Sequence, residues 1–327
     1  MGAVQAQDYA MAKWAMGLRL DNFSDDDIEA SINAGEIFRV HTVRPTWHFV
    51  SAEDLRWIML LTAPNIKRAM VTQNRQIGLT DALFLKCQKI ILKLLSDGKP
   101  RTREEIVTQI KVKGISLDNL QATNVMIYAE LDLVVCNGPR RGKQFTYSLC
   151  EERVPTSKPL SREEALYKLA KTYFKSHGPA TAKDFAWWSG LAKEDVRSCM
   201  EMILSEFNSF MVDKQEYFYD ENTSPSTSDD LMLLLPPYDE FTIGYANRDF
   251  ISGTGDSEKL FFGPLIFRPV IISQGKAIGT WRREVAKELA IETQFHGKVS
   301  SAVKKKVKTA AMKYQKFINK PLAKLDL

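Results

Sequence analysis

Two glutamines, Gln5 and Gln7, stand two positions apart near the start of this 327-residue chain, with a carboxylate, Asp8, directly after them. Positions i and i+2 share a face of an extended segment but diverge in a helix. The two amides therefore converge on one small target only where the backbone is extended or just entering a helix. Glutamine is a poor general base, yet its carbonyl orients a water and its dipole faces a developing cation without neutralising it. Such chemistry suits a leaving group that is already activated. The competing reading is a plain polar helix start running into Tyr9-Ala-Met-Ala-Lys13-Trp14.

Other chemistries find little support. Cys87, Cys136, Cys150 and Cys199 are dispersed and form no CxxC pair, and His41, His48, His177 and His296 form no HExxH motif. This usage fits a reducing cytosol, and neither metal nor cofactor is expected. No run approaches eighteen apolar residues, and the N-terminus lacks the basic-then-apolar design of a signal peptide. A cytoplasmic protein without membrane contact is expected. The net charge is only +5, so any basic surface must come from uneven distribution.

The elements that must position the glutamines recur as a unit. Helices are expected at 83–96, 103–112 and 117–131, then a hairpin from Asp132 to Tyr147 whose tip, Asn137 to Lys143, is basic. Three short helices followed by such a hairpin are the winged-helix layout. It repeats with helices at 162–176, 182–188 and 193–207 and strands through 211–219, and a partial copy precedes both. Ser51 with Asp54, Thr102 with Glu105, Ser161 with Glu164 and Thr181 with Asp184 each have capping-box spacing at an expected helix start. A Ser/Thr/Pro/Asp-rich linker spans 221–230. Short strands at 231–235, 261–267, 269–273 and 277–281 and a basic helix at 301–319 close the chain. The expected fold class is mainly α with β wings (α+β): tandem winged helix-turn-helix units at 1–80, 81–155 and 156–226, then a small β-rich C-terminal domain at 227–327.

Several blocks resemble a known family. Gly2-Ala-Val-Gln5-Ala-Gln7-Asp8, the stretch from Arg44 to Asp54, Gly138-Pro-Arg-Arg-Gly-Lys143, Ser176-His-Gly-Pro-Ala180, Asp184-Phe-Ala-Trp-Trp188, Leu235-Pro-Pro-Tyr-Asp239-Glu and Gly279-Thr-Trp-Arg-Arg283 resemble signature blocks of the tandem winged-helix DNA glycosylases typified by AlkZ and YcaQ. The resemblance runs from Gly2 to about Arg283. It implies a monofunctional glycosylase, without metal or cofactor, that excises N7-alkylated purines from double-stranded DNA and unhooks interstrand crosslinks. The family's catalytic motif is Gln-x-Gln in one branch and Gln-x-Asp in the other, and Gln5-Ala-Gln7 matches the first. Members carry further residues ahead of this motif, so the first unit is expected to be N-terminally truncated.

On this reading Gln5 and Gln7 position the water and face the sugar cation, with Asp8 a helix-start carboxylate or secondary electrostatic partner. Arg44 and His48 are pocket-edge candidates, as are Tyr238 and Asp239, for which a structural role is an equal alternative. DNA contact is expected from Arg140, Arg141 and Lys143 on the glycine-bounded hairpin tip and from Trp281, Arg282 and Arg283, an aromatic beside two cations. Trp187 and Trp188 read as core. The protein is expected to act as a monomer at the nucleoid. The rival is a winged-helix DNA-binding protein without catalysis, a transcription regulator or a DNA-structure binder; no heptad seam offers the dimer that a regulator would need.

Overall fold

The computed structural model describes residues 1–223, 231–252 and 268–327. A two-residue strand, β1 (Val4–Gln5), leads into helices α1 (Tyr9–Gly17) and α2 (Asp25–Ala34). Asp8 starts α1 by accepting the Met11 amide, and Ser24 with Asp27 closes a capping box on α2. The hairpin of β2 (Ile37–Thr42) and β3 (Thr46–Ser51) receives β1 on its free side, in the order β1-β3-β2. Helix α3 (Ala52–Gln76) then carries the chain into the second unit.

That unit shows the winged-helix order in full. α4 (Asp81–Leu95), β4 (Arg101–Thr102), α5 (Arg103–Val112) and α6 (Asn119–Leu131) precede the wing strands β5 (Val135–Asn137) and β6 (Thr146–Leu149), and the sheet order is β4-β6-β5. A single turn, α7 (Cys150–Arg153), ends it. The third unit repeats the order with α8 (Arg162–His177), α9 (Ala182–Ser189), α10 (Lys193–Ile203), β7 (Asn208–Val212) and β8 (Gln215–Tyr219). Its short strand is reduced to a bridge between Ala180 and Phe218.

The C-terminal part holds β9 (Met232–Leu235), the single turns α11 (Glu240–Ile243) and α12 (Asp249–Ser252), β10 (Val270–Ser273), β11 (Lys276–Val285), β12 (Leu289–Phe295), α13 (Ser301–Phe317) and β13 (Leu322–Asp326). Its sheet runs β13-β12-β11-β10-β9, antiparallel except for the β12–β13 pair. One apolar core runs from the β2–β3 hairpin and α3 through both later helix-and-wing units, while a second joins α1 and α2 to this sheet through Met11, Trp14, Ile28, Ile32, Trp281, Tyr314 and Phe317. The approach is close: a Cβ on Gly17 would stand 2.5 Å from the Phe317 ring.

Three of the four expected capping boxes close completely, at Thr102, Ser161 and Thr181. Ser51 instead donates to the Asp54 carboxylate and caps no amide. Asp118 and Gln121 form a box that moves the start of α6 two residues past the expected position. Strands β12 and β13 were not expected. The expected strand at 261–267 and most of the 221–230 linker lie outside the described residues.

Candidate active site

The Gln5–Gln7 segment lies on the first unit's sheet. Gln5 pairs with His48 and Val4 with Phe49, and the Ala6 amide donates to the Trp47 carbonyl at 2.7 Å. The backbone is extended through Gln5, bends at Gln7 and is helical from Tyr9. Directly opposed residues of an antiparallel pair project to one face, so Gln5 and His48 share the inner side. Gln5 is 8% exposed, whereas Gln7 and Asp8 are open to solvent.

Against the inner side sits a carboxylate that the sequence reading passed over. Glu240 is 1% exposed; its Oε1 accepts the Gln5 backbone N–H at 2.7 Å and its Oε2 accepts the Trp188 indole N–H at 3.0 Å. His177 Nε2 lies 3.6 Å from Oε2, beyond a hydrogen bond but within electrostatic reach. Burial pushes this carboxyl up; contact with His177 and the nearby charges, Arg44 first among the permanent ones, outweigh burial and hold it at about 2. Glu240 is an anion at neutral pH.

Arg44 occupies the β2–β3 turn, where Val43 adopts φ of 62°, a strained setting for a β-branched residue. Gly190, the left-handed cap of α9, lets this turn seat, since a Cβ there would stand 2.8 Å from the Val43 carbonyl. Arg44 Nη2 donates to Gln5 Oε1 at 3.3 Å. His48 is fully buried. Desolvation first, and then the charge of Arg44, lowers it to about 4, so the ring is neutral at pH 7. Its Nδ1 must carry the proton, because it meets the Thr46 carbonyl at 2.9 Å and a carbonyl only accepts.

Tyr238 and Asp239 brace this arrangement. Tyr238 takes φ of 60°, and Asp239 caps α11 through the Phe241 amide while both its oxygens accept from Arg19 at 2.8 and 2.7 Å. This bidentate pair ties the end of α1 to the turn that delivers Glu240. Asp8 serves as the α1 cap, at 3.1 Å from the Met11 amide. The Pro-Pro-Tyr-Asp-Glu block was visible in the sequence, but spacing alone does not say which of its two neighbouring acids turns toward Gln5.

The expected DNA-contacting groups divide. Trp281 is a correction: it is 3% exposed, donates to the Leu235 carbonyl at 2.8 Å and packs edge-on to Tyr314, so it belongs to the C-terminal core. Trp187 is the opposite correction, being 47% exposed with the Arg248 guanidinium over its ring; Trp188 is core. Arg282 and Arg283 border a cleft of about 480 Å³ together with Asp8, Met11 and Pro237. Arg282 is exposed and pairs with Glu292, and Arg283 lies over Tyr314. On the second wing Arg141 pairs with Glu105 at 2.9 Å and Lys143 is exposed. Arg140 turns inward over Tyr9 and Phe145 and reaches Glu29 at 3.5 Å.

Repeated helix-and-wing layouts, with a buried charged cluster beneath a glutamine-bearing strand, define a tandem winged-helix protein of the α+β class. Residues 1–317 match the family described as "DNA glycosylase AlkZ-like". The chain belongs to that family and is a DNA glycosylase. It is 22% identical over 326 residues to an "Interstrand DNA cross-link repair glycosylase" of Streptomyces sahachiroi, covering 94% of this chain and 86% of that relative. The solved structure of the Streptomyces sahachiroi DNA glycosylase AlkZ shares the fold, with a TM-score of 0.79, 20% identity and coverage of 99% of this chain and 90% of the other.

Proposed function

We propose that this glycosylase is monofunctional and hydrolyses the N-glycosidic bond of N7-alkylated purines in double-stranded DNA, including those that hold an interstrand crosslink. The observation that carries the reading is the state of Glu240, the carboxylate bonded to Gln5. It is ionised at neutral pH and its two oxygens already accept from Gln5 and Trp188, so it has no proton to give a departing base. An N7-alkylated purine needs none, because it carries its own positive charge.

Gln5 and Gln7 then do what neutral amides do well: they orient a water and turn their dipoles toward oxocarbenium-like charge at the sugar. Water oxygen bonds to C1′, the glycosidic electron pair leaves with the purine and neutralises it, and the surplus proton of the water passes to solvent. Arg44, donating to Gln5 Oε1, fixes that amide. The name of the Streptomyces relative, an interstrand cross-link repair glycosylase, supports the crosslink part. The protein works in this reading as a monomer in the cytoplasm, at the nucleoid.

The test is single-turnover excision of N7-methylguanine from duplex DNA at saturating enzyme. Gln5→Ala and Gln7→Ala should each slow it by roughly 10²- to 10³-fold, the loss that follows removal of one preorganised transition-state hydrogen bond, with DNA affinity nearly unchanged. Gln7→Asp should keep part of the rate, and a duplex crosslinked through guanine N7 should be unhooked by the wild type. Release of hypoxanthine, a neutral purine, as fast as N7-methylguanine would overturn the reading, as would wild-type rates in both alanine variants.

A further inference from the structure

Arg39 on β2 spends its guanidinium in an unusual way. Nε and Nη2 both donate to the Ala6 carbonyl, at 3.0 and 2.9 Å, and Nη2 also reaches the Gln7 carbonyl at 3.4 Å. The contacts that its side chain makes to main-chain oxygen thus fall on the two residues that follow Gln5. Aromatic rings hold the guanidinium in place: Trp47 at 4.3 Å from its centre, Phe145 at 5.0 Å and Tyr9 at 5.6 Å. The Arg39 amide, in turn, donates to Asn137 on the second wing at 2.8 Å.

These contacts matter because of where pairing stops. β1 ends at Gln5, and the Ala6 amide makes the last bond to β3, at 2.7 Å. Beyond it Gln7 is exposed, and α1 does not begin until Tyr9. Without a further restraint the peptide planes on either side of Gln7 would be free to rotate, and a misplacement of about 1 Å in a catalytic group costs up to about 10²-fold in rate. A planar guanidinium delivers parallel donors from a fixed fork, which an ammonium cannot reproduce.

We infer that Arg39 is a positioning residue for excision, clamping the Ala6 and Gln7 carbonyls so that the Gln7 amide is presented to the reacting centre in one direction. The inference rests on the catalytic role proposed above for Gln7. Arg39→Lys keeps the charge and the stem but loses the fork. It should slow single-turnover excision of N7-methylguanine by roughly 10- to 10²-fold, with affinity for abasic-site DNA within about twofold of wild type and a similar unfolding temperature.

The decisive comparison is with Gln7→Ala. If Arg39 acts through Gln7, the double variant Arg39→Lys/Gln7→Ala should be no slower than Gln7→Ala alone, because the clamp has nothing left to aim. A merely structural role would slow the double variant further. Full activity in Arg39→Lys, or a double variant whose losses multiply, overturns the clamp and leaves the role of Gln7 standing. Wild-type rates in Gln7→Ala overturn both. Should Arg39→Lys unfold at the assay temperature, Arg39→Met, which retains the apolar stack on Trp47 and has no donors, takes its place in the same cycle with the same criteria.

Discussion

At neutral pH the buried cluster beneath Gln5 holds an anion, Glu240, a cation, Arg44, and an uncharged imidazole, His48. His48 has an ordinary value of 6.5 and about 4 in the folded protein. Between these values the unfolded chain binds a proton that the folded chain refuses, so stability falls as pH drops from about 6.5 toward 4, by on the order of 3 kcal/mol from this residue. Glu240, depressed from 4.5 to about 2, contributes stability that is complete above 4.5 and is lost as pH falls toward 2. The urea midpoint of the wild type should therefore decline already between pH 6.5 and 5, and His48→Gln should flatten that upper part of the curve; an unchanged curve in the variant would refute the assignment. Glu240→Gln should cost about 3 kcal/mol, because its amide turns a donor toward the Trp188 or Gln5 N–H and leaves the half-buried Arg44 without a nearby counter-charge. Of this cluster the sequence disclosed Gln5, Arg44 and His48. Glu240 and His177 were hidden, because it takes tertiary packing to bring a turn at 240 and the end of α8 against β1.

For the elements, the second wing is where sequence and structure part most instructively. A basic, glycine-bounded hairpin tip was legible, but the division of labour within it was not. Arg141 is exposed, pairs with the exposed Glu105 and donates to the Pro100 carbonyl; its ion pair is a contact of little stability that a phosphate can replace. Arg141→Ala should lower the log–log salt slope of DNA binding by up to about one. Arg140 is folded onto Tyr9, the first residue of α1, so Arg140→Ala should slow excision more than it changes that slope; a slope change alone would return Arg140 to the DNA interface. Helix starts were readable because capping boxes are local, and the wings because turn residues are. β13, Leu322–Asp326, is built of residues with no preference for strands, and only its pairing with β12 makes it one.

For the whole molecule, the two larger cores hold the Gln5 strand between them, Ala3 lying in one and Ala6 in the other. Trp14 packs against Tyr314 at 5.0 Å and Phe317 at 5.1 Å and donates to the Leu234 carbonyl at 2.7 Å, joining α1 to the C-terminal sheet. Trp14→Ala should destabilise by about 3–5 kcal/mol and, by loosening the sheet from α1, should speed limited proteolysis of residues beyond Leu231 while the winged-helix units stay protected. Uniform loss of protection would mean that the two cores unfold as one. The repeated helix-and-wing order at 81–149 and 162–219 was legible, and the first segment, with two helices before its hairpin, follows it only in part. The second core was not, because it joins residues 11–32 to residues 232–317, a pairing that no local pattern encodes.

The hydrogen bond from the Gln5 amide to Glu240 spans 235 residues of sequence. A ribosome adding roughly 5–20 residues per second therefore takes roughly 10–50 s between making Gln5 and making its carboxylate partner. The strand that carries Gln5 lacks this anchor throughout that interval. On the mechanism proposed for Gln5, chains that stop short of α11 lack this anchor and should excise more slowly than the full chain.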